Sequence, residues 1–215
     1  MADQRHVKIY RALEKRIKHR YKNIRIKYKS DYIFWQILPK RLRTSSFTIG
    51  KTIWMPNRSC NVSTLAHEYA HLVQVQKLGI LGFLFLYLQP QIFALFFLAM
   101  ALIFTGFILP ELAIVTFVLT GIFLLPWPSK RRLKLKRAGY IMNLAVEKWG
   151  YGENTKYLQK FIVDSLLSSH YYKMIWDRNE TNEFVEEMVQ EINKGSSELM
   201  TNIVYKDTYE IFQNE

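Results

Sequence analysis

A long apolar block in the middle of the chain constrains the fold more than any other feature. From Leu78 to Pro128 nearly every residue is apolar, and Glu111 is the only charged residue. The mean hydropathy of the whole chain is −0.08, because polar and charged sequence surrounds the block. A chain of 215 residues has too little other sequence to cover two such uncharged runs in a soluble core, although a buried helical hairpin is the alternative. These features argue against a fully soluble protein and against a polytopic transporter.

The apolar block can be divided into two membrane spans in two ways. Spans over residues 79–101 and 103–125 would place Gln89 to Gln91 in the middle of the lipid, which is unfavourable. Spans over residues 91–109 and 111–126 avoid this and measure about 28 Å and about 24 Å, against a hydrocarbon core of about 30 Å. The sequence therefore predicts a two-helix transmembrane hairpin with Glu111 at its tip and Trp127 at the near interface.

Basic residues are concentrated on both sides of the block. Residues 1–60 contain 16 Lys and Arg against 3 Asp and Glu, and residues 129–150 contain 7 against 1. Residues 151–215 are acidic, with 6 basic and 12 acidic side chains. Basic sequence beside a membrane segment usually faces the cytoplasm and anionic lipid. We therefore expect a membrane protein whose soluble domain is cytoplasmic, and we prefer membrane lipid over nucleic acid as the partner of the basic face.

An H-E-x-x-H motif, from His67 to His71, carries the chemistry. Ser63 or Thr64 can cap a helix that contains the motif and ends near Lys77. Residues four apart lie on one helix face, so both imidazoles can reach one Zn²⁺ ion. Glu68 is placed to act as the general base on a water molecule activated by the metal. The alternative is a helix with two incidental histidines.

Secondary structure around the motif follows from periodicity. A basic amphipathic helix is predicted over residues 4–20, and a strand over residues 24–28. Phe47 to Met55 reads as a second strand, or as a hairpin that bends near Gly50. It could bind an extended peptide at its edge, or it could be an ordinary sheet strand. An acidic amphipathic helix around residues 183–192 is predicted to pack on the rest of the domain.

The order of these elements resembles a known family. The strand from Thr48 to Pro56 precedes the H-E-x-x-H helix, as in zincins, and more narrowly as in gluzincin-type metallopeptidases of phages and bacteria. Some of those have an apolar insertion and then an Arg-rich helix with a Gly/Ala-Tyr pair, to which Arg131 to Val146 is similar. The resemblance covers residues 24–150. It implies an α+β, zincin-like metallopeptidase domain with the transmembrane hairpin inserted, and a strand that binds a polypeptide substrate.

The third zinc ligand departs from that pattern. The family places a Glu shortly before the Gly/Ala-Tyr pair, but this chain has Lys136 and Ala138 there, and neither replaces a carboxylate. Glu147 is the nearest downstream carboxylate and is the provisional third ligand, with a solvent-facing Glu as the alternative. Asp164 and His170 are weaker candidates. By resemblance, His170 to Tyr172 could instead hold the oxyanion, or be surface residues of a helix.

The sequence thus predicts three parts. They are an N-terminal half (1–78), a transmembrane hairpin (79–128) and a C-terminal helical half (129–215). The predicted function is a membrane-anchored zinc metallopeptidase with His67, His71 and Glu147 as metal ligands and Glu68 as catalytic base. The alternative is a catalytically inactive, zincin-like membrane protein whose basic face binds anionic lipid or nucleic acid.

Overall fold

The computed structural model describes residues 4–59, 61–106, 110–125, 127–152, 156–168 and 174–215. These residues are mostly helical, so the prediction of an α+β zincin-like fold is wrong. The strands are only three or four residues long, whereas the segments around them have helical periodicity. The helices are α1 (Gln4–Arg20), α2 (Ile33–Gln36), α3 (Lys40–Thr44), α4 (Val62–Leu88), α5 (Ile92–Gly106), α6 (Pro110–Leu124), α7 (Lys130–Tyr151), α8 (Lys156–Leu167), α9 (Arg178–Lys194), α10 (Ser197–Thr201) and α11 (Ile203–Asn214).

A small sheet lies beside the motif helix. Its strands are β1 (Arg25–Tyr28), β2 (Phe47–Ile49) and β3 (Thr52–Met55), in the order β1-β3-β2. β1 is parallel to β3 and β2 is antiparallel to it, so the predicted hairpin is confirmed. Gly50 forms the turn with φ +56°, a backbone conformation that favours glycine. β2 is an edge strand and contacts α4.

One hydrophobic core joins the sequence before the apolar block to the sequence after it. The predicted α1 face is buried, and α4 and α7 cross the middle of this core. They run antiparallel, since His67 contacts Asn143 whereas Gln74 contacts the carbonyl of Leu135. The predicted acidic helix is present as α9, which buries Val185, Met188 and Ile192 against the core.

The apolar block does not form the predicted transmembrane hairpin. α5 and α6 have 15 residues each, about 22 Å at about 1.5 Å per residue, which is short of a hydrocarbon core of about 30 Å. Among the described residues, α4 is the one helix long and apolar enough to cross a membrane. Its first part lies in the core, and Gly79 interrupts it with φ 72° and ψ 162°. α5 and α6 pack on each other and leave most of their large apolar side chains exposed.

A buried arginine ties the apolar helices to the core. Arg132 donates from Nε to the Tyr87 carbonyl at 2.6 Å and from Nη2 to the Gln89 carbonyl at 2.8 Å. A cation at the C-terminal carbonyls of α4 also interacts favourably with the helix dipole. Gln91 accepts from Arg132 and donates to the carbonyl of Leu125 at 3.0 Å. Arg132 and Gln91 together therefore link the end of α4, the start of α5 and the end of α6.

Candidate metal centre

The two motif histidines face each other on the buried side of α4. Asn61 caps this helix by accepting from the Thr64 amide, two or three residues before the caps that the sequence indicated. His67 and His71 follow on one face, and their Nε2 atoms lie 3.2 Å apart. The ring planes are inclined at 71°. His71 is buried and His67 is half-buried.

The other nitrogen of each ring is held by an amide oxygen. Nδ1 of His67 lies 2.7 Å from Oδ1 of Asn143, and Nδ1 of His71 lies 2.9 Å from Oε1 of Gln74. Gln74 is itself fixed, because its Nε2 donates to the carbonyl of Leu135 at 3.0 Å. An amide oxygen accepts and does not donate, so a proton on each Nδ1 matches these contacts and leaves each Nε2 free to bind a metal. Both Nε2 lone pairs therefore point into the same small space.

This arrangement fits a zinc ion. Two ligands at about 2.05 Å from a tetrahedral metal lie about 3.3 Å apart, close to the separation of the two Nε2 atoms. A proton bound to either histidine would not replace the metal ion at neutral pH, because the pKa of both rings is low. Burial lowers the pKa of His67 to about 3, and the charge of His71 acts in the same direction. Burial also lowers the pKa of His71 to about 3, and the charge of Lys136 has a smaller effect in the same direction. Neutral imidazoles are what a metal ligand requires.

Gly139 of α7 lies directly against the ring of His67. A Cβ atom at this position would be 2.6 Å from Nε2 of His67, a distance that real structures essentially never show. The next residue, Tyr140, places its ring edge-on to the same imidazole at 5.5 Å. The Gly-Tyr pair that the sequence singled out therefore packs on the first histidine of the motif.

Glu68 is buried and anchored to the sheet. The hydroxyl of Ser46 donates to Oε1 at 2.7 Å, and the hydroxyl of Thr48 donates to Oε2 at 2.8 Å. Thr48 belongs to β2, so the edge strand and the motif helix share this carboxylate. Its charge raises the pKa of His67, against the larger effect of burial. Glu68 therefore lies within electrostatic range of His67.

Sequence reasoning missed the side chains that orient the motif. Asn143 lies four residues after Gly139, on the same face of α7, and Gln74 lies three residues after His71, on the same face of α4. This spacing is the signal that could have found them. Ser46 and Thr48 have no such signal, because the packing of β2 on α4 brings them to Glu68.

The described part of the chain brings no carboxylate or imidazole to the pair as a third ligand. Within the described ranges, no group of three or more His, Cys, Asp or Glu residues could hold a metal ion. Glu147 follows Asn143 by one helical turn on α7 and belongs to no such group with His67 and His71. Asp164 instead pairs with Arg178 on the surface. His170 and the two tyrosines after it lie outside the described residues.

Lys136 is the charged residue that α7 brings to the centre instead. Its charge lowers the pKa of both His67 and His71. Its Nζ lies 5.5 Å from the ring centroid of Tyr87, and Glu68 is also within electrostatic range. A metal held by the two imidazoles would therefore take its remaining ligands from water or a bound molecule, beside a positive charge.

The described structure brings His67 and His71 together, with the charge of Glu68 acting on His67, and groups Glu147 with neither histidine. Comparison with protein-family models, with curated proteins and with solved structures finds no match for this chain. The resemblance to gluzincin-type metallopeptidases therefore stays a prediction. The function has to be argued from the chemistry of the histidine pair and of the groups around it.

Proposed function

We propose that this chain is a membrane-attached, zinc-dependent hydrolase of peptide bonds. One observation carries the proposal. The Nε2 atoms of His67 and His71 lie 3.2 Å apart, while each Nδ1 is held by an amide oxygen. Orienting partners of this kind are typical of metal-binding histidines, because they fix the tautomer and the direction of the lone pair. Any buried imidazole needs a hydrogen-bond partner, so the convergence of the two Nε2 atoms is the feature that favours a metal.

The proposed chemistry uses three side chains of α4. His67 and His71 would hold the zinc ion, which lowers the pKa of water and polarises a carbonyl group. Glu68 would take the proton from the attacking water and pass it to the leaving amine. Its position supports this role, since Ser46 and Thr48 hold the carboxylate and leave few other orientations open to it.

An extended polypeptide is the substrate that the edge strand favours. β2 lies at the edge of the sheet, and its Thr48 bonds to both the side chain and the backbone carbonyl of Glu68. A peptide that pairs with β2 would gain backbone hydrogen bonds and would pass close to Glu68. The geometry therefore supports peptide bonds over smaller substrates.

Membrane attachment follows from the exposed apolar helices. The side chains of α5, α6 and the part of α4 after Gly79 would be costly to leave in water. α5 and α6 are too short to cross a bilayer, so we place them in lipid from one side. Phe83 joins this region to the centre, with its ring 6.0 Å from that of His71. Membrane-proximal polypeptide is therefore the proposed substrate class, and basic residues beside the apolar helices favour the cytoplasmic leaflet.

A non-catalytic protein is the second candidate, and Lys136 favours it. A catalytic zinc site usually has three protein ligands, and a nearby ammonium weakens the binding of a cation. In that case the histidine pair is a remnant or a structural site. The basic face of the domain would then bind anionic lipid, or nucleic acid, without hydrolysis.

The test compares metal content with peptidase activity in the full chain, purified in detergent. We expect about one zinc per chain, lost in His71→Ala. Glu68→Gln should keep the zinc and lose hydrolysis of a fluorogenic protein substrate by at least about 100-fold. Glu187→Gln, on the exposed face of α9, is the matched control and should change neither. Zinc without any hydrolysis would support the second candidate with a structural zinc site, and absence of zinc would contradict the hydrolase and support the second candidate with a remnant site.

A further inference from the structure

A second apolar surface lies outside the apolar block, on α2 and α3. Ile33 is 85% exposed, Phe34 59% and Ile37 77%. Leu42 of α3 is also exposed beside them. Large side chains are seldom left this open to water in a cluster, because their burial is favourable. We call this cluster the α2–α3 face. We expect another molecular surface to cover it.

The α2–α3 face is supported from below by packed aromatic side chains and a buried lysine. Trp35, which lies between Phe34 and Gln36, turns inward and packs against Trp54 and Phe47, with ring centroids 5.3 Å and 5.5 Å away. Beneath them, the buried Lys29 ammonium lies 4.7 Å from the centroid of Trp35 and donates to the carbonyl of Ser45 at 2.6 Å. The exposed side chains thus project from an anchored segment, and their exposure is a feature of the fold.

Positive charge flanks the apolar side chains. Lys40 and Arg41 are exposed on α3, and Arg43 donates to the carbonyl of Gln36 at the end of α2. Described acidic side chains near this segment are few, and Asp31 is already paired with Arg58. Exposed aliphatic and aromatic side chains next to lysine and arginine are typical of elements that lie in the interface of an anionic membrane.

The α2–α3 face is also continuous with the proposed lipid-contacting helices. A Cβ atom at Gly50, in the turn after β2, would lie 3.1 Å from Cδ1 of Ile80, the residue that follows the break at Gly79. Ile49, beside that turn, is exposed. β2 has three residues, about 10 Å, and follows α3 almost directly. The α2–α3 face therefore lies close to the point where α4 enters its exposed apolar part.

We propose that the α2–α3 face is a second membrane contact, which inserts Ile33, Phe34 and Ile37 into the headgroup region of an anionic bilayer. This inference rests on the membrane attachment proposed for α4 to α6, and does not depend on metal binding. A membrane fits the face better than a protein partner, because one flat surface can satisfy both the apolar cluster and the flanking charges. Two contacts would also fix the orientation of the domain, with the β2 edge near the lipid.

Hydrogen–deuterium exchange of the full chain tests this proposal. The chain is compared in detergent, in phosphatidylcholine nanodiscs and in nanodiscs that also contain phosphatidylglycerol. We expect amides of residues 33–44 to exchange at least about tenfold more slowly in the anionic discs than in detergent, as for an element that enters the interface. Lys40→Gln with Arg41→Gln should remove most of the preference for anionic discs, and Ile33→Ser with Ile37→Ser should remove the protection itself. Lys194→Gln with Lys206→Gln makes the same change in net charge at exposed positions elsewhere and should have no effect.

The same data separate the possible failures. Protection of residues 92–105 without protection of residues 33–44 would overturn this inference and leave the membrane attachment intact. Protection of neither segment in discs would contradict both. Equal protection of residues 33–44 in detergent and in both discs would show that the protection does not depend on an anionic bilayer, and would also overturn the proposal.

Discussion

Gly139 and His67 are in such close contact that no side chain fits between the backbone of α7 and the imidazole. An added Cβ would lie 2.6 Å from the Nε2 atom of His67, the atom that faces His71. The close packing of α7 against α4 therefore restricts the orientation of the His67 ring and the direction of its Nε2 atom. Since Asn143 on the same helix holds Nδ1, α7 fixes the first motif histidine from two sides.

Gly139→Ala should therefore displace the ring and weaken zinc binding. We expect a loss of affinity of about 10- to 100-fold, and a loss of about 1–3 kcal/mol in the free energy of unfolding from overpacking. Gly150→Ala, in the same helix, is the matched control, since its Cβ would lie 3.6 Å from His6 in ordinary contact. Competition with a chromophoric chelator measures the affinity. Equal affinities for the two variants would show that the contact has no part in the site.

Asn143→Leu should also weaken zinc binding, but by a different mechanism. It removes the oxygen that holds Nδ1 of His67 and so frees the ring to change tautomer or rotate. We expect zinc affinity to fall by about 10- to 100-fold, with little change in the helical circular dichroism spectrum. Asn193→Leu, on the exposed side of α9, should leave the affinity unchanged. An unaltered affinity for Asn143→Leu would contradict the orienting role.

Lys136→Glu tests whether zinc affinity is limited by the lack of a carboxylate as third ligand. The change removes a positive charge that acts on both histidines and places a carboxylate on the same face of α7. We expect zinc affinity to rise at least about tenfold. Lys134→Glu makes the same charge change at an exposed position two residues away, and should raise affinity far less. A similar rise in both variants would point to net charge rather than to the site.

Asp207→Asn should destabilise the domain without affecting the metal. Asp207 is buried, accepts from Arg20 at 2.8 Å and from Tyr69 at 2.8 Å, and also pairs with Arg16. These contacts join α1, α4 and α11. We expect a loss of about 3 kcal/mol in the free energy of unfolding, at the low end for a buried pair because both arginines are partly exposed.

The control for this change is Asp164→Asn, whose pair with Arg178 is largely exposed. It should cost less than about 1 kcal/mol. Chemical denaturation of the full chain in detergent, followed by circular dichroism, measures both values. Similar losses for the two variants would contradict the structural role of Asp207.

Lys29 should make stability rise with pH in the alkaline range. Burial lowers its pKa from 10.5 to about 8 in the folded state, against the opposing charge of Glu68. Between these two values the unfolded chain binds the proton more tightly than the folded chain, so raising the pH favours folding. Below pH 8 the burial cost is fully present.

Lys29→Met measures this contribution by difference. The stability of the parent chain relative to Lys29→Met should increase from about pH 8 to about pH 10.5. The same comparison with Lys22→Met, at an exposed position near the start of the sheet, should be flat. A flat difference for Lys29→Met as well would mean that the ammonium is not desolvated in the folded chain.

Local patterns in the sequence identified the helices and strands with one buried face. The spacing of Tyr10, Leu13 and Ile17 predicted α1, and Gly50 marked the hairpin turn. The fold class was wrong, because periodicity does not show that the strands are only three or four residues long. The starts of α5 and α6 lie within one residue of the predicted spans, but the continuation of α4 from Gly79 to Leu88 was missed.

The candidate site was predicted only where it is local. His67, Glu68 and His71 lie within one helix, so their spacing places them together. The partners Asn143, Ser46 and Thr48 come from other elements, and a single sequence does not show the register in which α7 and β2 pack on α4. The same register decides that Lys136, and not Glu147, faces the pair.

The central claim is that His67 and His71 bind one zinc ion through their Nε2 atoms. Zinc content of the detergent-purified full chain, measured by inductively coupled plasma mass spectrometry beside the His67→Ala, His71→Ala double variant, tests it most directly. We predict about one zinc per folded parent chain and none in the equally folded double variant. Absence of zinc from the parent chain after incubation with the metal, or the same zinc content in both proteins, would contradict the claim.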